Sequence, residues 1–392
     1  TRWPEVYAAR SKKYGRFHMI NRPVYLAAGG TGGHIFSALA VAEILQTRGY
    51  SAHLFTDRRG AKMLGEASTL PVTLHVIAAA SPFQNGMIKR TFAVSKLAAG
   101  ALASLYHLLV RRPALIIGFG GYPSFAPLLT ARLLGIPILL HEQNAFLGRA
   151  NHMLAKFANA LALSWPQTKN LPAMRVTEVT GIPVRQAFFD AAQTPYRLAA
   201  KAPVNLAVLG GSQGASILAS LVPDAISMIV PPIRQRLSIH QQARPEQIEP
   251  LRRRYDNLEV TADIQSFYDD MPSLLGQSHL VICRAGASSV AELAAIGRPS
   301  LLLPLPGAMD DHQRMNALQM HDVGGGICLD ETTLSAAALA TRLMQLIETP
   351  KTLSKMAESA SNLASPDAAN LIAAMAENLM MAIPAKSPGT TA

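Results

Sequence analysis

The sequence predicts an α/β protein made of two doubly wound, Rossmann-like domains, and three observations carry that prediction. An apolar run, a glycine-rich turn and a helical apolar pattern follow one another twice, at Val24–Gln46 and at Val204–Val230. Strand-like and helix-like segments alternate along most of the chain, which implies parallel sheets joined by helical crossovers. The 392 residues are 49% hydrophobic and 16% charged, enough apolar material for two cores. A single core seldom grows past about 250–300 residues.

In the first half, Val24–Ala28 reads as a strand, Gly29-Gly30-Thr31-Gly32-Gly33-His34 as a turn, and Ile35–Gln46 as a helix with Ile35, Leu39, Ala42 and Leu45 on one face. Further strands are expected at Ala52–Thr56, Val72–Ile77, Leu115–Gly118 and Pro137–His141, with helices at Ser124–Leu134 and Arg149–Ala158. After Gly181-Ile182-Pro183-Val184-Arg185 the pattern restarts: strand Val204–Leu209, turn Gly210–Ala215, helix Ser216–Val230. Leu258–Val260, Leu280–Cys283 and Ser300–Leu303 are the later expected strands. Pro366 opens an amphipathic helix at Ala369–Met381, expected to pack back across the other domain. The domain reading is therefore 1–18 as a disordered extension, 19–184 and 185–365 as the two domains, 366–384 as the returning helix and 385–392 as a tail. A Pro-rich, polar linker falls within 190–203. The two domains are expected to face each other over a cleft lined by the loops at the carboxyl ends of their strands.

Charge is unevenly divided. Residues 1–184 hold 20 Lys/Arg against 6 Asp/Glu, and 185–392 hold 16 against 19, so the halves carry +14 and −3. A basic first half suits an anionic partner, either nucleic acid or an acidic lipid surface. No aromatic-interleaved basic stripe or nucleic-acid reader motif is present, so nucleic acid is set aside. Cys283 and Cys328 are the only cysteines and form no C-x-x-C pattern, so neither a disulfide framework nor a structural metal is indicated, and both are expected to be reduced core thiols. No continuous apolar stretch reaches the roughly 20 residues of a spanning helix, and no secretory signal opens the chain, so the expectation is a cytosolic protein.

Both glycine loops suit anions, because glycine lets backbone N–H groups approach oxygen atoms and a helix N-terminus adds partial positive charge. A tight strand-to-helix turn without a ligand is the bland alternative, and two matched loops weigh against it. A dinucleotide reading, with Asp57 as the ribose acid, fails on spacing: Ile35, Gln213 and Ser216 stand where G-x-G-x-x-G needs glycine.

Four blocks carry a resemblance: GGTGGHIFSALAVAE (29–43), GFGGYPSFAPLLTARLLGIPILLHEQNAFLGRANHMLAKFA (118–158), GGSQGAS (210–216) and ICRAGASSVAELAAIGRPSLLLPLP (282–306). Over roughly Val24–Ala382 the chain resembles, in order and spacing, the MurG-type N-acetylglucosaminyltransferases of glycosyltransferase family 28. The resemblance implies the GT-B fold and a hexosyltransferase of peptidoglycan synthesis. Such an enzyme transfers GlcNAc from UDP-GlcNAc to O4 of MurNAc in lipid I, the undecaprenyl-pyrophosphoryl-MurNAc-pentapeptide, with inversion and without cofactor or metal. One-step inversion needs a base for the acceptor proton and stabilisation of the departing UDP.

Histidine, with an ordinary pKa near 6.5, is a usable base, and His34 follows the first glycine loop. Glu142, in the His141-Glu142-Gln143-Asn144 run, is a competing carboxylate, and the choice between them stays open at this level. The bland alternatives are helix capping or acceptor binding for His34, turn solvation for Glu142 and helix capping for Asn144. The resemblance further places Gly30, His34 and Tyr122 at the acceptor. It places Thr31, Gly32, Gly33, Asn144, Arg185, Ser212, Gln213, Gly214, Tyr268, Met271, Glu292, His312 and Gln313 at the donor. Ser289-x-x-Glu292 is also a formal capping box, which would explain Glu292 without a ligand. Asp269-Asp270 and Asp310-Asp311 are expected to be loop or cap residues rather than metal ligands. Departures from the family pattern are Ser37 for proline, Ile182 for asparagine, Phe125 for glycine, Ala285 for serine, and His312 for the usual glutamine.

Between Met87 and Arg112, Lys89, Arg90, Lys96, Arg111 and Arg112 flank an apolar helix, the pattern of a body that rests on anionic lipid, although such a stripe can equally be core. The family's lipid acceptor implies a peripheral position on the cytoplasmic face of the inner membrane. Rival readings are an NAD(P)-dependent oxidoreductase, disfavoured by the glycine spacing, and a non-catalytic UDP-sugar sensor, disfavoured by His34, Glu142 and Asn144. A related transferase with a diacylglycerol acceptor is disfavoured by HEQN and GGSQGA.

Overall fold

The structure, a computed structural model, describes residues 22–65, 70–81, 87–174, 176–210, 216–308 and 311–382, without the side chains of 87–90. The extension at 1–18, the tail at 385–392, Ser212, Gln213 and Gly214 lie outside the described residues. The chain divides into two compact units. The first comprises residues up to 143, 147–183 and the stretch from 367 onward; the second comprises 144–146 and 184–366.

In the first unit the strands are β1 (Val24–Ala27), β2 (Ala52–Thr56), β3 (Thr73–Val76), β4 (Leu115–Gly118), β5 (Ile138–Glu142), β6 (Ala160–Leu163) and β7 (Thr177–Val179). They form one parallel sheet in the order β3-β2-β1-β4-β5-β6-β7. Its helices are α1 (Gly32–Thr47), α2 (Arg58–Leu64), α3 (Met87–Val110), α4 (Phe125–Leu133) and α5 (Arg149–Ala155). Strands β1, β4 and β6 carry no charged residue and are buried at every position, because both faces are covered. Alternate residues still sort to opposite sides. Val24, Leu26, Leu54, Leu115 and Ile117 pack with α1, while Tyr25, Ala27, Phe55, Ile116 and Ile138 pack with Leu108 of α3 and Leu128 of α4.

The second unit repeats the design with β8 (Val204–Leu209), β9 (Leu237–Gln242), β10 (Thr261–Gln265), β11 (Leu280–Cys283), β12 (Ser300–Leu302) and β13 (Gly326–Cys328), in the order β10-β9-β8-β11-β12-β13. Around them lie α6 (Gln186–Ala191), α7 (Leu218–Ser227), α8 (Pro231–Arg234), α9 (Pro245–Asn257), α10 (Met271–Gln277), α11 (Ala287–Ile296), α12 (His312–Asp322), α13 (Ala336–Glu348) and α14 (Pro350–Ser361). Val222 and Ile226 of α7 and Leu339 and Leu343 of α13 share a core with Leu206, Val208, Ile239 and Ile282. The last helix, α15 (Ala368–Ala382), belongs to the first unit. Its Ile372, Ala373 and Ala376 join the α1 core, and Arg48 at the end of α1 pairs with Glu377 at 2.7 Å and with the Asn370 carbonyl.

Three expectations are corrected. The strand expected at Leu258–Val260 lies at Thr261–Gln265, because α9 continues to Asn257 and the chain then turns through Glu259 at φ 54°. The edge strand itself is polar and mostly exposed, so it carries no apolar run to mark it. The capping box at Ser289–Glu292 is absent: α11 starts earlier, its N-cap is Gly286, and both residues sit inside the helix. Finally, Thr91–Val110 of α3 is long and apolar enough to cross a membrane by length and composition, with only 22% of the window buried. Lys96 and the small residues interrupt its continuity without lowering its mean hydropathy below that of a span.

Candidate functional site

Each sheet reverses its strand order at one point, between β1 and β4 in the first unit and between β8 and β11 in the second. Loops at such switch points diverge to opposite faces and leave room for a ligand at the carboxyl ends of the strands. His34 and Tyr122 follow the two strands that flank the first of these points, and Glu292 lies on the helix that follows β11 at the second.

In the first unit, His34 is the third residue of α1, just past β1, with Thr31 as N-cap. Helix capping by His34 is thus not its role. Its ring lies on the loop after β4: a methyl group on Gly120 would stand 3.0 Å from His34 Nε2, and one on Gly121 would stand 2.3 Å from the Gly29 carbonyl oxygen. Both glycines also have positive φ, 96° and 78°. Glycine is therefore required twice over, by backbone conformation and by close approach. Tyr122 follows directly. His34 Nδ1 is 3.3 Å from the Thr31 hydroxyl, which orients the ring. Gly30, Thr31, Gly32 and Gly33 lie in the same turn.

The HEQN run ends β5, the next strand over. Glu142 is only 3% exposed, so it does not solvate a turn. Its Oε2 accepts from the backbone N–H of Gly148, the N-cap of α5, at 3.0 Å and from Asn151 Nδ2 at 2.9 Å. Gln143 donates to the Gly33 carbonyl at 3.1 Å, and its own carbonyl accepts from Trp165. Two neighbouring loops are thereby tied to the turn that carries His34. His141 is buried, bonded to the Gly181 carbonyl and near the Ser164 hydroxyl; burial lowers its pKa to about 4, so it is neutral. Ser37 hydrogen-bonds the Pro183 carbonyl at 3.0 Å, a bond that a proline at this position could not make.

Asn144 does not cap α5, whose N-cap is Gly148; the stretch 144–146 belongs to the second unit. Asn316 of α12, fully buried, donates to Asn144 Oδ1 at 3.2 Å and to the Ala285 carbonyl at 3.3 Å, and accepts from Ala145 N–H at 3.4 Å. Asn151 and Asn316 were missed by sequence reasoning. The polar position Asn316 on a buried helix face was the signal available for the second.

Elsewhere in the second unit, Arg185 is the N-cap of α6 and lies over Phe188. Burial raises the Glu292 carboxyl to about 7, with the Arg185 charge pulling the other way. The two expected donor residues are thus in electrostatic contact. Burial, with the Glu292 charge adding to it, pushes the Cys283 thiol up to about 12, so it is an inert core thiol. Asp270 caps α10 by accepting from Ser273 N–H, and Met271 opens that helix. Tyr268 is buried with its hydroxyl on the Asp263 carbonyl. His312 starts α12, and Gln313 Oε1 accepts from Leu305 N–H at 3.0 Å. Asp57, the residue that a dinucleotide reading would need, caps α2 through Gly60 N–H.

The raised Glu292 carboxyl predicts a pH effect on the unliganded protein. Between the unfolded value near 4.5 and the folded value near 7, the folded chain holds a proton that the unfolded chain has released. Stability therefore declines as pH rises through that window and stays lower above it, by on the order of 3 kcal/mol. Glu292→Gln is expected to raise Tm at pH 8 and to match wild type near pH 5 in calorimetry. Equal Tm of variant and wild type at both pH values would contradict the raised carboxyl.

A profile of the glycosyltransferase family 28 N-terminal domain matches residues 24–163, and one of the family's C-terminal domain matches residues 205–372. A protein of Sinorhizobium fredii is 42% identical over 355 residues, 90% of this chain and 94% of that protein. One of Paramagnetospirillum magneticum is 41% identical over 363 residues, 91% and 96% respectively. Both are named UDP-N-acetylglucosamine–N-acetylmuramyl-(pentapeptide) pyrophosphoryl-undecaprenol N-acetylglucosamine transferase. The crystal structure of Acinetobacter baumannii MurG superposes with a TM-score of 0.70 at 28% identity, covering 91% of this chain and 99% of that one. Two parallel-sheet units of the GT-B class, matched over nearly their whole length, establish that the chain belongs to glycosyltransferase family 28.

Proposed function

We propose that this chain transfers GlcNAc from UDP-GlcNAc to O4 of the MurNAc in lipid I, with inversion, to give lipid II. The observation that carries this reading is the collinear, nearly full-length match to relatives named for that reaction.

His34 is the base. Its imidazole takes the acceptor hydroxyl proton, with the ring oriented by Thr31, and Gly30 and Tyr122 complete the acceptor side. Glu142 acts as a positioning residue, because its buried carboxylate is committed to Gly148 and Asn151. On the donor side, Thr31, Gly32, Gly33 and Asn144 meet the sugar and phosphates. Arg185, Ser212, Gln213 and Gly214 offset the charge on the departing UDP. Glu292 takes the ribose hydroxyls, the loop at Tyr268–Met271 takes the uracil, and His312 and Gln313 read the sugar hydroxyls. No cofactor is invoked.

The lipid acceptor is reached from an anionic membrane surface. Phe92, Val94, Leu102, Tyr106, Leu109 and Val110 are exposed on α3 beside Lys96, Arg111 and Arg112, an apolar face with a basic margin. Vesicles containing phosphatidylglycerol are expected to co-sediment the protein and to release it as salt rises, whereas neutral vesicles bind less. Equal binding to both would contradict the electrostatic part.

The activity is tested by incubating the protein with labelled UDP-GlcNAc and a soluble lipid I analogue. A disaccharide product is expected. Absence of transfer under every detergent condition overturns the proposal.

A further inference from the structure

Three consecutive loops of the second unit meet on one side chain. Arg284 follows β11 and is 11% exposed. Its Nη1 donates to the carbonyls of Leu303 at 3.1 Å and Pro304 at 3.3 Å, both just past β12, and forms an ion pair with Glu331, just past β13. The guanidinium thus bridges the carboxyl ends of β11, β12 and β13, where ligands of open α/β sheets sit. Glu331 is anchored in turn by the stretch Asp330–Thr333, in which Asp330 Oδ1 accepts from Thr332 N–H at 2.9 Å and Thr332 Oγ1 at 2.7 Å.

The consequence passes one residue further. Leu305, next to the carbonyls that Arg284 holds, donates its N–H to Gln313 Oε1 at 3.0 Å. With the amide oxygen occupied by that bond, Gln313 presents its Nε2 as a hydrogen-bond donor. We propose that Arg284, held by Glu331, is a positioning residue for donor-sugar selectivity: it fixes Leu303–Leu305, which fixes the amide orientation of Gln313, which then meets sugar hydroxyls as acceptors. This rests on the donor-site reading given above. Sites built to bond a hydroxyl discriminate strongly against epimers that misplace it, but only while the reading group is held in one orientation.

The test uses wild type, Arg284→Met, Arg284→Lys and Glu331→Gln with UDP-GlcNAc and its C4 epimer UDP-GalNAc, together with inhibition by UDP alone. Arg284→Met and Glu331→Gln are expected to raise KM for UDP-GlcNAc about 5- to 20-fold. They should also narrow the kcat/KM preference for UDP-GlcNAc by about tenfold or more, with the inhibition constant of UDP within about twofold of wild type. Arg284→Lys keeps the charge but not the fork, and should restore part of the preference. A preference unchanged in Glu331→Gln, which alters one charge and no volume, overturns the inference. So does a parallel loss of UDP inhibition, because that marks general collapse of the unit. A wild-type chain that neither binds UDP nor transfers sugar overturns the donor-site reading itself, and the inference with it.

Discussion

Replacing His34 with alanine is expected to lower kcat by a factor on the order of 10² to 10⁴, with UDP binding retained. The size follows from the role: proton removal in the transition state is lost, while binding of the nucleotide draws on other residues. Glu142→Gln is the informative companion. The amide still offers an oxygen to Gly148 N–H or Asn151, but it loses the charge that strengthens both bonds. It should therefore lower kcat by moving the loop and leave the shape of the pH–rate profile intact. His34→Ala should abolish the acid limb of that profile, since the limb reports protonation of the base. If Glu142→Gln removes the limb and His34→Ala does not, the base is Glu142.

Arg298→Met is expected to destabilise the second unit by about 3–5 kcal/mol. Arg298 is only 3% exposed, and its guanidinium donates to the carbonyls of Leu275 and Gly276, which end α10, and of Ile296 and Gly297, which end α11. Those are last-turn carbonyls with few partners inside their own helices. The aromatic face of Tyr196 lies 5.6 Å from the guanidinium carbon. Methionine fills similar volume but leaves the carbonyls unbonded away from water. Lysine offers a single point of donors and should recover only part. In the proposed donor site, where α10 starts at Met271 and α11 carries Glu292, loss of this anchor should also weaken UDP binding. Urea unfolding within about 1 kcal/mol of wild type would contradict the role.

The contrast between His34 and Arg298 shows where sequence reasoning reaches. His34 lies beside a glycine turn that opens a helix, a local arrangement visible in a dozen consecutive letters. Arg298 sits in a short Gly-Arg-Pro link whose letters suggest only a loop, and its four partners come from positions up to 23 residues away. The same applies to Asn151 under Glu142 and to Asn316 beside Asn144: each is an unremarkable polar residue until the fold brings a second strand end or helix to it. The misplaced strand at Leu258–Val260 has a related cause, since Leu258 and Val260 fall in the turn after helix α9 and the edge strand that follows carries no apolar run.

By itself the sequence determined the two α/β units, the glycine turn at Gly29–Gly33 and the family, because backbone conformation and apolar periodicity are written in neighbouring residues. It could name His34 and Glu142 as candidate bases but could not separate them. Only the tertiary structure commits the Glu142 carboxylate to a buried loop, packs His34 on Gly120 and Gly121, and raises the Glu292 carboxyl, since hydrogen-bond partners and desolvation depend on which distant residues fold against a group rather than on the letters beside it.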